Sequence, residues 1–255
     1  KILLIVRREN GSLRRYCHIG TGNYNEKTAR IYSDISLLTC NEHLGADASQ
    51  FFNSVTGLTR LMRFRRMYPA PATMKSRLLE LIEAETRRAE QGERALIRAK
   101  MNSLNDVEMM EALERAAEAG VRIQLNVRGI CCWAPTSEKA RACTRITSIV
   151  DRDLEHARLF HFHNGGSPLV YMASADWMSR NLDRRVELLI PIEEPPLVHR
   201  ILEILDACFA DNTQASDMAP DGSYHPAAKG KKPYAMQAHL QRAARRRTRT
   251  QESTS

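Results

Sequence analysis

A segment near the start of this chain comes back much later in it. Moved by 153 positions, GTGNYNEKTARIYSDISLL (20–38) falls on ASADWMSRNLDRRVELLIP (173–191). Gly20 meets Ala173, Thr21 meets Ser174, Asn23 meets Asp176, Lys27 meets Arg180 and Asp34 meets Glu187. Both copies follow the second strand of a hairpin pattern and precede an apolar strand, so two related strand–loop–strand units are expected. The plain reading is two similar units without shared chemistry; the sharper one is two half-sites facing a common centre. The hairpin turns differ in length, and aligning the first strands sets Lys1 opposite Arg158. His156 then has its counterpart two positions before Lys1, which predicts a His-x-Lys upstream of this chain.

The second copy carries the more informative approach. In EHARLFHFHNGGSPLVYMASADW, His156 and Arg158 are two apart and are expected on one face of one strand. HNGGSP reads as the turn, and the return strand, Leu169–Ala173, brings Ser174 and Asp176 back to the level of His156. An imidazole, a permanent cation and small polar groups at one strand end suit a phosphoryl group. His161 and His163, farther along, are expected to be structural.

Elsewhere the patterns alternate. KILLIV and YCHIG flank a polar turn, ARIYSDISLLT reads as a third strand, and 41–56 as a helix capped by Asn41. RLMRFRRMYPAPAT is basic and proline-punctuated, and reads as a linker. Thr73 then caps an amphipathic helix that stops at Gly92. ALIRAK, VRIQLNV, SIV and VELLIPI read as strands, 105–119 and 195–210 as helices. Such alternation predicts an α/β domain with helices flanking a sheet.

The net charge of +8 is concentrated at one end. From Pro226 onward there are eight Lys or Arg and one acid, so +7 belongs to that tail and +1 to 1–225. A basic Ala/Arg/Thr/Ser tail is expected to be disordered, with contact to nucleic acid or another polyanion as its sharper role. The six cysteines form no CxxC, and no Cys/His pair has zinc spacing. Reduced, buried thiols in a cytoplasmic protein are expected. No apolar run approaches the roughly 20 residues of a membrane span.

The motifs RRYCHIGTGNYNEKTARIYSDISLLT, KMNSL, VRGICC, SIVDRDLEHARLFHF and YMASADWMSRNLDRRVELLIPI, in this order, resemble the polyphosphate kinase family, the long-chain type. The paired His-x-Lys/Arg half-sites resemble the wider phospholipase D superfamily. The resemblance implies a phospholipase D-like mixed sheet flanked by helices: the end of a first catalytic domain over 1–66, a second over 67–215, and the basic tail over 216–255. It also implies reversible transfer of the ATP γ-phosphate to polyphosphate through a phosphohistidine, in a cytoplasmic homo-oligomer, with possible peripheral membrane association. The nucleophile belongs to the first His-x-Lys, so this chain alone is expected to be inactive. A phosphodiesterase or nuclease acting through paired histidines, and a non-catalytic polyanion-binding module, are the alternatives.

By the same resemblance His156 is the second histidine, an acid or base contacting the nucleotide phosphates. Arg128, at the end of VRIQLNV, binds ATP, and Tyr32 stacks on adenine. Lys1, Asn23, Arg158 and Arg185 are expected at phosphate, with Arg180 and Arg184 along a polyphosphate path. Lys100 and Asn102 of KMNSL are further candidates; His18 has no clear role. Magnesium is expected with the nucleotide, its ligands outside these residues. Asp176 and Arg158 depart from the superfamily, which uses Asn and Lys there.

Overall fold

In the computed structural model, residues 1–57, 63–230 and 232–252 are described, with side chains to 248. Ile2–Glu9 (β1) and Ser12–Gly20 (β2) pair antiparallel across an Asn10-Gly11 turn with both φ angles positive, 49° and 81°. That is the conformation an Asn-Gly hairpin favours. A single helical turn, Glu26–Ala29 (α1), precedes the first departure from expectation. ARIYSDISLLT does not form one strand: it splits into Tyr32–Ser33 (β3) and Ser36–Thr39 (β4). The break falls at Asp34-Ile35, where the Ile35 backbone turns to pair with Thr21, its N–H on the Thr21 hydroxyl and its C=O on the Thr21 N–H.

Glu42–Val55 (α2) starts where expected, because Asn41 Oδ1 accepts the N–H groups of His43 and Leu44 at 3.0 and 3.1 Å. The stretch read as a linker lies partly outside the described residues, at 60–62. Its remainder is tied down: Asp47, buried on α2, accepts the backbone N–H groups of Arg65, Arg66 and Met67. Tyr68–Ala70 (β5) then joins a sheet as an edge strand. Met74–Glu90 (α3) follows Thr73, whose side chain makes no capping bond.

Next come Leu96–Met101 (β6), Val107–Ala119 (α4), Arg122–Val127 (β7), Glu138–Cys143 (α5) and Thr144–Ile149 (β8). They are followed by Leu154–Glu155 (β9), Arg158–Phe162 (β10), Leu169–Ala173 (β11) and Glu187–Ile192 (β12). Pro195–Ala210 (α6) ends the expected series. The tail from 216, expected to be disordered, instead contains ordered elements. Ala215–Met218 (β13) and Tyr224–Pro226 (β14) extend the sheet, and Met236–Glu252 (α7) returns over α6. Its apolar anchors Met236 and Leu240, packed with Cys208 and Ala207, supply the burial that the Lys/Arg-rich composition hid.

Among the described residues the main sheet runs β14-β13-β8-β7-β6-β10-β11-β12-β5. Strands β6, β7 and β8 are parallel, as helix-connected strands are. Strand β10 is antiparallel to β6 and β11 antiparallel to β10, which makes the sheet mixed. Helices α3 and α4 cover one face with Leu78, Ile82, Met109 and Leu113. Helices α2 and α6 cover the other, where Phe51, Leu205 and Phe209 meet Leu159, Met172 and Ile190. His161, expected to be structural, is buried and accepts a hydrogen bond from Arg98 Nε at 3.0 Å. Burial, and then the Arg98 charge, push its pKa down to about 3 and keep it neutral. All six cysteines are free. No described helix is long and apolar enough to cross a membrane.

Candidate active site

Two residues of parallel ladder join the halves of the chain. Tyr32 pairs with Leu154 and Ser33 with Glu155, and the His156 N–H donates to Ser33 O at 3.0 Å. Asp34, next after Ser33, therefore lies beside His156, with Oδ1 2.8 Å from Nδ1. The expectation that His156 and Arg158 share one face of one strand is not met. Strand β10 begins at Arg158, and His156 sits in the bend before it, aimed at Asp34.

Burial alone would raise the Asp34 carboxyl. Hydrogen bonds from His156 and Thr21, with the charges of His156 and Arg158, instead hold it below the usual carboxylate range. The Thr21 hydroxyl donates to Asp34 Oδ1 at 2.7 Å. A carboxylate on one imidazole nitrogen fixes the ring's orientation and leaves the other nitrogen to exchange a proton.

The second copy of the repeat builds the same device. The Ser174 hydroxyl donates to Glu187 Oε2, and Ser174 exchanges backbone and hydroxyl bonds with Leu188 as Thr21 does with Ile35. The first strands also correspond: Gly20 N–H donates to Lys1 O at 2.9 Å, while Arg158 stands opposite Ala173. The two cations then cross over. Lys1 Nζ donates to Ser174 O at 3.1 Å and Arg158 Nη1 to Thr21 O at 3.3 Å, each reaching the other half's Ser or Thr carbonyl. Lys1 Nζ also lies 3.5 Å from Glu187. The halves are thus related as the repeat predicts, and Glu187 occupies in one the place of Asp34 in the other.

Arg158 has protein partners where phosphate was expected. Its Nε and Nη2 form a fork on the two Asp176 oxygens at 3.1 and 2.9 Å, and Nη1 also reaches His156 O at 2.8 Å. The pair is nearly buried. Arginine and aspartate, standing where the resemblance led one to expect lysine and asparagine, therefore compensate one another: the fork-shaped cation meets a carboxylate. Burial would raise the Asp176 carboxyl, but Arg158 and the Asn102 N–H keep it low.

Asn102 extends the network. Its backbone and side-chain N–H groups donate to Asp176, and its Oδ1 accepts from Arg128 Nε and Nη2 at 3.2 and 3.0 Å. Arg128 Nε also donates to Glu155 O at 2.8 Å, and its guanidinium lies 6.0 Å from the Tyr32 ring centre. The Tyr32 ring lies 4.6 Å from that of His156, tilted by 34°. Tyr32, Arg128 and His156, which the resemblance marked in three separate segments, are thus one cluster, with Asn102 bonded to Arg128.

Other candidates lie apart. Lys100 is 2 % exposed and ion-paired to the buried Glu155 at 3.0 Å, which makes it a support rather than a surface cation. Asn23, Arg180, Arg184 and Arg185 are exposed. His18 Nδ1 meets Tyr24 Oη at 2.7 Å. Sequence reasoning gave no role to Asp34, Glu155 or Glu187. The repeat did align Asp34 with Glu187, a carboxylate at the same step of both copies, and that was the usable signal.

Gly22 has a specific reason to lack a side chain. A Cβ there would stand 2.2 Å from Asp34 Oδ2, whereas one at Gly20 would meet nothing closer than 3.6 Å. In a full-length enzyme containing these residues, Gly22→Ala is expected to push Asp34 off His156 and lower the rate by on the order of 10²-fold. Gly20→Ala, which copies Ala173 of the other half, is the control. Steady-state rates of the two variants check this.

Residues 1–61 match polyphosphate kinase C-terminal domain 1, and residues 67–238 match polyphosphate kinase C-terminal domain 2. The chain belongs to the polyphosphate kinase family. It is 51% identical over 224 residues to a polyphosphate kinase of Rhodopirellula baltica, covering 88% of this chain and 26% of that protein. It is 49% identical to one of Thermosynechococcus vestitus, covering 88% of this chain and 31% of the relative. The crystal structure of polyphosphate kinase from Porphyromonas gingivalis superposes with a TM-score of 0.92 at 37% identity, covering 98% of this chain and 39% of that one. The chain spans about a quarter to a third of the length of the curated relatives it matches. The second domain's match continues to residue 238, through β13 and β14 and into α7.

Proposed function

We propose that this chain forms the C-terminal part of the catalytic centre of an enzyme that moves the γ-phosphate of ATP reversibly onto polyphosphate. What carries the reading is the His156–Asp34 pair, set within two interlocked half-sites that cross at Lys1 and Arg158. In the first step an upstream histidine, the counterpart of His156 two positions before Lys1, forms an N–P bond as the bond from Pγ to the bridging oxygen breaks and ADP leaves. In the second, a terminal phosphate oxygen of polyphosphate takes the phosphoryl group and frees the histidine. Such transfers pass through loose transition states, so positioning and charge matter more than covalent assistance.

His156, oriented by Asp34, is placed to give and recover a proton at the oxygens of the transferred group. Arg128 keeps Nη1 without a hydrogen bond among the described residues, which leaves a donor for phosphate. Tyr32 holds the base. Lys1, Asn23 and Arg185 stand in this reading as weaker contacts to the phosphate chain. Arg158, committed to Asp176 and two carbonyls, braces the halves.

Magnesium would travel on the nucleotide phosphates. Among the described residues no group of three His, Cys, Asp or Glu converges to hold a metal ion, and no step is assigned to one here. The intact enzyme is read as a cytoplasmic homo-oligomer.

The test uses a full-length enzyme containing these residues, given ATP labelled at the γ-phosphate. Label is expected on histidine, stable to base and labile to acid, and then in polyphosphate; the 255-residue chain alone should transfer none. Hydrolysis of a bis-aryl phosphate without labelling by ATP would replace the kinase reading with a phosphodiesterase.

A further inference from the structure

The basic tail reaches the candidate site through one uncharged residue. Gln237, the second residue of α7, is 8 % exposed. Its Nε2 donates to Asp153 O at 2.6 Å and to Glu155 Oε1 at 2.8 Å, and its Oε1 accepts the Asp153 N–H at 3.2 Å. One side-chain amide thus grips the backbone of Asp153 and the carboxylate of Glu155, three and one residues before His156.

Glu155 links that grip to the rest of the cluster. Its carboxylate pairs with buried Lys100 at 3.0 Å and accepts from the Ser33 hydroxyl, and its C=O accepts from Arg128 Nε at 2.8 Å. Its backbone lies in the ladder that sets Tyr32 and Asp34 beside His156. A shift of Glu155 therefore moves Arg128, Ser33 and His156 together.

The base of the grip is buried and hydrogen-bonded. Met236 is fully buried, and its N–H donates at 2.7 Å to Asp211 Oδ2. Asp211 Oδ1 meanwhile accepts from Thr213, Gln214 and Ala215 just past α6. Side-chain chemistry also selects glutamine. Glu155 is already balanced by Lys100, so a glutamate at 237 would place an unpaired like charge against it, and a lysine a second cation. Only a neutral group with a donor and an acceptor satisfies the Asp153 backbone and Glu155 at once.

We propose that Gln237 is a positioning residue: the first turn of α7 sets the Asp153–Glu155 segment, and through it places His156 and Arg128 for phosphoryl transfer. The part of this that concerns catalysis rests on the function proposed above.

The test compares Gln237→Met, close in size but without donor or acceptor, and Gln237→Glu with the unaltered full-length enzyme. Both variants are expected to lower kcat for polyphosphate synthesis on the order of 10- to 100-fold, as a misplacement near 1 Å does. Combining Gln237→Met with His156→Ala should cost clearly less than the product of the two single losses, because part of the Gln237 effect passes through His156 and the remainder through Arg128. A fully additive double variant, or a kcat within twofold of the unaltered enzyme, overturns the proposal. If Gln237→Met folds poorly, Gln237→Asn, one methylene short, is expected to give an intermediate loss of kcat.

A readout that needs no turnover is the rate at which diethyl pyrocarbonate modifies His156, followed by peptide mass. It should rise severalfold in Gln237→Met, and an unchanged rate counts against the proposal even where activity falls. Replacing Arg242, Arg245 and Arg247 with glutamine should leave kcat and the modification rate unaltered; a matching loss there would assign the effect to tail charge and overturn the role of Gln237. An unaltered enzyme without kinase activity but with faster His156 modification in Gln237→Met would remove the proposed function and keep the positioning.

Discussion

His156→Ala in a full-length enzyme is expected to lower the rate of phosphoryl transfer by about 10²–10⁴-fold, the range of a positioned acid–base group. The expectation rests on one ring's surroundings. Asp34 Oδ1 lies 2.8 Å from Nδ1, the Tyr32 ring lies 4.6 Å away, and the side chain is 13% exposed. A structural histidine in such a place would affect folding; an acid–base histidine affects kcat at constant stability. Asp34→Asn keeps the size of the partner but removes its charge, so it should show a smaller loss of kcat with little change in KM for ATP. Initial rates of polyphosphate formation, with melting temperatures alongside, separate these outcomes. A His156→Ala enzyme within threefold of the parent rate would end the acid–base assignment.

Arg158→Met is expected to have the largest effect on stability, about 3–5 kcal/mol, because it leaves a buried carboxylate without its partner. Arg158 and Asp176 side chains are 7% and 9% exposed, and the arginine also holds the carbonyls of His156 and Thr21. The sign of the pH dependence follows. With Arg158 present, Asp176 titrates below an ordinary carboxylate. The pair then contributes stability at pH above the unfolded-state value and loses it as pH falls through the folded one. Without Arg158, burial, the largest influence on Asp176, raises it against the remaining backbone hydrogen bonds from Asn102 and Ser103, so the variant's deficit should shrink on acidification as Asp176 takes up a proton. Arg158→Met combined with Asp176→Leu should recover much of the loss. Denaturant unfolding of the three proteins at neutral and mildly acidic pH measures both effects. A single variant as stable as its parent would show that the fork on Asp176 contributes little.

Much of the site could be read before any coordinates. The repeat rests on residue types that a shared backbone geometry demands at each step: a small residue, a hydroxyl, a carboxylate, then an apolar strand. It placed Lys1 opposite Arg158, and the strand registers agree. Tyr32, Arg128 and His156, which the family resemblance marked in three different segments, are neighbours. Where the reading failed, side chains were choosing among distant partners. Arg158 was expected at phosphate because a cation beside a histidine suits an anion, and its fork on Asp176 was not foreseen. The tail was read from its charge, and its buried Met236 and Gln237 were outweighed by exposed arginines in the average.

Local sequence determined most of the strands, the Asn-Gly turn and the Asn41 cap, because each depends on residues within a few positions of one another, and the twofold plan was legible because the same local pattern occurs twice. Only the tertiary structure decided which carboxylate serves His156, since Asp34 is 122 positions away and arrives through a ladder two residues long. The same holds for Gln237, 82 positions from Glu155. Contacts of that range are selected by how the whole sheet packs between its two layers of helices, and no local preference encodes them.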